Sequence, residues 1–280
     1  VASSRGKMTI EILDPRPDTD ADNWARRYGL KPVPVGDGSE LFFGLAVFAG
    51  KKEAVIPYID PRREQFLEYD ISEALQKLIA KDRPVVGIMS SLEMIAKTPV
   101  YDMQSIMQGK GDWVLVNELR KVADVEDVAA DSKSISDKIK ILIVHHPKGL
   151  SDDTLRAIDQ FVMKGGKLIA LVDPFSRVDL DKQYQSGKTS QIANTSDLKT
   201  LFSAWDIEFD SSKVVGDLKY PTQINAGGTP LTYPFFAQIV DKGMNKESKI
   251  TNQLRQMMVG EAGSVSLRNG SPHKFESLFT

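Results

Sequence analysis

Three predominantly apolar runs, at residues 84–89, 139–144 (interrupted only by Lys140) and 168–172, constrain this chain more than any other feature. A strand covered on both faces carries apolar side chains without alternation, because neither face meets water. Each run closes on turn or cap residues: Ser90-Ser91, His145-His146-Pro147 and Asp173-Pro174. Helical patterns lie between them. Leu115, Leu119 and Val122 fall on one face of the first. Ser151 caps the second, with Asp152 and Asp153 in its first turn and Leu155, Ile158 and Val162 on one face. Lys164-Gly165-Gly166 ends it. Strand, helix, strand, helix, strand over residues 84–173 predicts right-handed crossovers and a parallel sheet.

The flanking segments are weaker. Residues 8–13 alternate polar and apolar and read as a strand. Residues 18–29 carry acids early, Arg26 and Arg27 late and Gly29 at a C′ position, so a helix is expected. The runs 41–48 and 54–59, joined by Gly50-Lys51-Lys52, predict a hairpin. Residues 70–80 predict a helix with Asp70 and Glu73 as a capping box and Ile71, Leu75 and Leu78 on one face. Residues 62–69 fit an extra helical turn or a short strand. Beyond Pro174, a polar mobile loop is expected at 177–195, a short helix at 197–205 and a short strand at 213–216. Residues 217–250 have no clear period, and 257–267 hold two short β-like runs. The expected organisation is an N-terminal α/β part with the hairpin (1–83), a parallel α/β domain (84–216) and an irregular mixed segment (217–280). The start at Val1 and the apolar end at Thr280 read as cuts in a longer protein.

Charge and composition narrow the function. Thirty-six basic and 38 acidic residues leave a net charge of −2, which provides no global attraction for nucleic acid or an anionic membrane. The absence of cysteine excludes thiol catalysis, thiolate metal sites and disulfides. The longest apolar stretch, residues 41–50, is half the roughly 20 residues that span a bilayer.

The strand ends hold the groups that could bind a ligand: Ser90, Ser91, His145, His146 and Asp173. In open α/β sheets, ligands sit in the crevice outside the carboxyl ends of the strands. Each residue also has a structural reading. Asp-Pro recurs at Asp14, Asp60 and Asp173, where aspartate caps the amides of a following turn. Neighbouring histidines on a strand point to opposite faces, and a metal would need a third ligand, so packed or hydrogen-bonded histidines are expected. Ser90-Ser91 lacks the glycine two places after the serine that a nucleophile elbow needs. Gly165-Gly166 follows a helix, and neither a Gly-Lys-Ser/Thr string nor G-x-G-x-x-G occurs. No catalytic constellation is legible, and no metal or cofactor is expected.

Five strings taken in order carry more information than any single motif: TIEILDPRPD, LFFGLAVF with VIPYIDPRREQFLEYDIS, RPVVGIMSSL, LIVHHPKGLSDDTLRAIDQFVMKGGKLIALVDPFS, and NQLRQMMVGEAGSVSL. Together they resemble the auxiliary component of gliding-motility-associated ABC transporters. The likeness is densest over 139–176 and weakest over 177–250. It implies flavodoxin-like or class I glutamine-amidotransferase-like layers around a parallel central sheet. It implies an extracytoplasmic (periplasmic) portion of an inner-membrane protein, anchored by helices outside this chain. It supplies no catalytic residue. Amidotransferases of related fold need a cysteine nucleophile, which this chain lacks. The expected function is therefore non-enzymatic binding of transporter membrane subunits or other envelope proteins. Two alternatives stand beside it: a module for an envelope glycan or other polar ligand at the strand ends, and a hydrolase of unrecognised chemistry. A serine and His145 within hydrogen-bond reach, beside Asp173, would favour the last.

Overall fold

A computed structural model describes residues 6–36, 39–79, 83–96, 111–185 and 194–280 of the 280. Ala80 of the expected 70–80 helix and residues 186–193 of the expected loop lie outside the described residues. The chain forms two compact units, Val1–Arg83 and Pro84–Thr280.

In the first unit, helix α1 (Asp20–Arg27) begins at Thr19, whose hydroxyl accepts the Asp22 amide. Acids in its first turn and arginines in its last suit the helix dipole. Strands β1 (Pro32–Pro34) and β2 (Glu40–Phe42) pair antiparallel. Strands β3 (Leu45–Ala49) and β4 (Lys52–Ile56) form the expected hairpin, closed by the Ala49–Lys52 pair. The first apolar run is split between β2 and β3 at Gly44. A Cβ there would lie 2.7 Å from the Ile56 carbonyl oxygen, so the close approach requires glycine.

Helix α2 (Leu67–Ile79) starts earlier than the capping-box reading placed it. A 3-10 turn over Pro61–Phe66 leads into it, capped by Asp60 through the Arg62 amide. Asp70 lies instead in the first turn of α2, 3.5 Å from the Arg63 guanidinium. Residues 62–69 are thus helical. Residues 8–13 form no strand. Their alternation is real, but a strand needs a ladder partner, and none pairs with them among the described residues. Ile10 and Ile12 accordingly stand exposed.

The second unit is built on a four-stranded sheet ordered β6-β5-β7-β8, parallel throughout. Its strands are β5 (Val85–Ser90), β6 (Asp124–Asp127), β7 (Ile139–His145) and β8 (Lys167–Leu171). The three apolar runs become β5, β7 and β8. The edge strand β6 carries three acids and one valine, a polar composition that hides it in the sequence.

The two faces of the sheet hold separate cores. Val86, Ile88 and Ile143 pack with Val116 of helix α3 (Val114–Val122). Met89, Leu142 and Val144 pack with Ile158 and Phe161 of helix α4 (Asp152–Met163). Each fully buried Leu or Ile contributes about 1.5–3 kcal/mol. Ser151 caps α4 through the Thr154 amide, as its sequence predicts.

After β8 come helices α5 (Arg177–Gln185) and α6 (Lys199–Ala204). Leu198, Leu201 and Phe202 join the α4-side core, and the Trp205 indole donates to Asp159 at 3.1 Å. The loop expected from residue 177 is helical as far as 185, because Ser176 receives the Asp179 amide and Arg177 is anchored 84 residues away by Glu261. Residues 213–216 form no strand. Asp210 closes a turn over 210–213 through the Ser212 amide and the Lys213 ammonium, and the Val215 amide beyond it donates to the Ala262 carbonyl as an isolated bond.

Strands β9 (Ile207–Phe209) and β13 (Val265–Leu267) pair antiparallel. Strands β10 (Pro221–Ala226), β11 (Thr229–Val240) and β12 (Gln256–Gly260) form a three-stranded antiparallel sheet. The aperiodic stretch 217–250 thus contains the longest strand of the described residues. No helix among the described residues is long and apolar enough to cross a membrane.

Candidate functional site

Register in the parallel sheet builds the first half of the site. Ser90 and His145 are Cα partners on β5 and β7, so their side chains leave the same face side by side. Ser90 Oγ lies 3.2 Å from His145 Nδ1. The same oxygen accepts the Leu92 amide at 3.0 Å, and its own proton is available to donate to a neutral ring. Trp113 packs against His145 with ring centroids 5.4 Å apart at 74°. Burial pushes the His145 imidazole below its usual pKa. Asp173 acts against this shift and His146 adds to it. A neutral imidazole accepting the serine proton is consistent with both effects.

His146 builds the second half. Its φ of +46° ends the strand in a left-handed turn, and its amide donates to the Leu171 carbonyl at 2.8 Å. Such a conformation costs a non-glycine residue about 1–3 kcal/mol and persists only where its surroundings impose it. The side chain is fully buried. Nε2 lies 3.2 Å from Asp179 Oδ2, which also receives the Lys148 ammonium at 2.6 Å. Burial works to raise the Asp179 pKa, but the bonds from Lys148 and His146 outweigh it and hold the carboxyl below the usual carboxylate range. Nδ1 lies 3.4 Å from Asp173 Oδ2 but is not aligned for a hydrogen bond, so this buried nitrogen is left unsatisfied. Ser91 Oγ accepts the Lys148 amide at 2.9 Å and fixes the loop that carries Lys148.

All five residues singled out in the sequence therefore meet at the carboxyl ends of β5, β7 and β8. The rule that strand neighbours face opposite ways stops at His145, because His146 has already left the strand. The two imidazole centroids are 6.3 Å apart. Among the described residues, no group of three or more His, Asp or Glu side chains is placed to hold a metal ion. Lys148 and Asp179 were not legible as members of the site. Lys148 follows the His-His-Pro turn, a local cue, whereas Asp179 arrives only through the placement of α5.

The site and sheet define an open parallel α/β domain with a polar cluster at its strand ends. The chain belongs to the family described as ABC-type uncharacterized transport system, whose model matches residues 83–280. That family places it with the auxiliary components of ABC-type transport systems. The chain is 24% identical over 245 residues to an uncharacterized protein of Borreliella burgdorferi, an alignment covering 86% of this chain and 45% of that protein. The chain thus spans less than half the length of this curated relative. No solved structure matches the chain.

Proposed function

We propose that this chain is a non-enzymatic, extracytoplasmic module of an ABC-type transport system of the gliding-motility-associated type. In this reading it is tethered to the inner membrane by segments beyond these 280 residues. It acts by binding, through the crevice at the ends of β5, β7 and β8, a protein of the transporter or a polar envelope ligand. The observation that supports binding is the state of the strand-end cluster. His145, His146, Lys148 and Asp179 are tied to one another or to Ser90, while the Asp173 side chain, 3.4 Å from His146, is 38% exposed and open to a partner from solvent. The test is purification of the full-length protein from membranes, with and without Asp173→Ala. Co-purification of the transporter's membrane subunits, weakened by the variant, is expected. Their absence from the wild-type preparation overturns the reading. Thermal melts with ATP, NAD or Zn²⁺ are expected to be flat. A ligand that binds only the folded state adds about 2.7 kcal/mol at a hundredfold excess over Kd, so an upward shift with ATP would place the chain among nucleotide-binding parts.

The Ser90–His145 pair favours a second reading, acyl transfer with Ser90 as nucleophile and His145 as base. A fluorophosphonate probe that labels the wild type and not Ser90→Ala would establish it. Absence of labelling leaves the binding reading in place.

A further inference from the structure

A cleft of about 570 Å³ opens at the opposite, amino ends of β7 and β8. It lies between one face of α4 and the loop before β7. Small-molecule pockets typically enclose about 300–1,000 Å³. Its floor is apolar: Ile139 and Phe161 are buried there, with Ile135 beside them. Gly166 closes one end, where a Cβ would lie 2.4 Å from the Phe161 ring.

The rim is cationic in a chain whose net charge is negative. Lys133, Lys140, Arg156 and Lys164 face only two carboxylates, Asp137 and Asp153. Lys133 meets Asp153 at 3.3 Å and Lys164 meets Asp137 at 3.9 Å. Lys140 donates to the backbone carbonyl of Asp137, which carries no net charge. Arg156 makes no ion pair among the described residues. Two positive charges therefore face the cleft without a carboxylate of their own. An unpaired arginine on an open surface would be unremarked. Here it lines a cleft of ligand size with an apolar floor and a polar rim.

We propose that this cleft is a second ligand site, for an organic anion: a carboxylate or phosphate carried on an apolar body. The anionic group belongs between Arg156, in the first half of α4, and Lys140, at the amino end of β7. The last turn of that helix directs its free carbonyls toward Lys164 and repels negative charge. The apolar body covers Phe161 and Ile135. Arginine suits either anion, because its planar fork donates two parallel N–H bonds to a pair of oxygens. The site is separate from the strand-end crevice and does not depend on what binds there.

The test is titration of the 280-residue chain with hexyl phosphate, hexanoate, hexylamine and inorganic phosphate, followed by amide NMR and calorimetry. Hexyl phosphate and hexanoate are expected to shift the amides of Ile135, Arg156 and Gly165 while leaving Ser90 and His145 unmoved. Inorganic phosphate is expected to bind more weakly than hexyl phosphate, and hexylamine not to bind. Arg156 is exposed, so Arg156→Gln keeps the fold and is expected to weaken hexyl phosphate about tenfold, the loss of one charge-assisted contact. No shift at the cleft with either organic anion, or hexylamine binding as well as hexanoate, overturns the proposal. So does an Arg156→Gln variant that keeps full affinity.

Discussion

The Arg177 guanidinium forms a two-pronged pair with the buried Glu261 carboxylate, its Nε lying 2.7 Å from Oε2 and its Nη2 on Oε1. The same carboxylate accepts the Tyr233 hydroxyl at 2.6 Å, and the guanidinium lies over the Tyr233 and Phe236 rings. Arg177 opens α5, the helix that also supplies Asp179 to His146 and Lys148. One short helix thus joins the β11–β12 sheet to the strand-end crevice. Arg177→Met is expected to destabilise the second unit by about 1–3 kcal/mol. It strands a buried carboxylate, yet the arginine itself is half exposed, which lowers the cost below that of a fully buried pair. Urea melts give the stability change. The His146 ring resonances are also expected to shift, and an unmoved His146 would show that α5 does not couple the two places.

His145 sets a pH dependence. Its folded pKa lies below the unfolded value because burial opposes the imidazolium. The unfolded chain therefore binds more protons in the window between the two values. Stability is full above the unfolded pKa of about 6.5 and falls as pH drops from there toward the folded pKa. His145→Gln is expected to flatten this part of the profile in urea melts from pH 8 to pH 5. An unchanged slope would remove His145 as its source. Asp179, whose folded pKa is lowered, acts in a separate window below about pH 4, where its contribution is lost as pH falls.

Ser151→Ala removes the side-chain acceptor for the Thr154 amide at the start of α4. A loss of about 1 kcal/mol is expected in thermal or urea unfolding. Ser151→Asp, which can still cap, is expected to recover most of it.

Leu142→Ala empties a fully buried position at the centre of β7. The transfer and cavity contributions together predict a loss of about 3–5 kcal/mol. Loss of the cooperative transition, or a drop of this size, would match the central place of β7. A drop under about 1 kcal/mol would contradict the packing described here.

Local pattern alone determined β5, β7, β8 and the cap of α4. Their signals lie within a few residues: a predominantly apolar run, a serine before two aspartates, a Gly-Gly stop. From those came the parallel sheet, and from the sheet the gathering of Ser90, His145 and Asp173 at one end. Tertiary structure decided the rest. The alternating residues 8–13 find no partner among the described residues, and a strand is defined by its partner. Three acids conceal β6, which takes its hydrogen bonds from β5. Helix α5 has no apolar period to announce it and is held by Glu261, 84 residues away. Asp179 could not be placed beside His146 before that contact existed. The 3.2 Å approach of Ser90 to His145 likewise follows from strand register, a relation between segments 55 residues apart that no local pattern encodes.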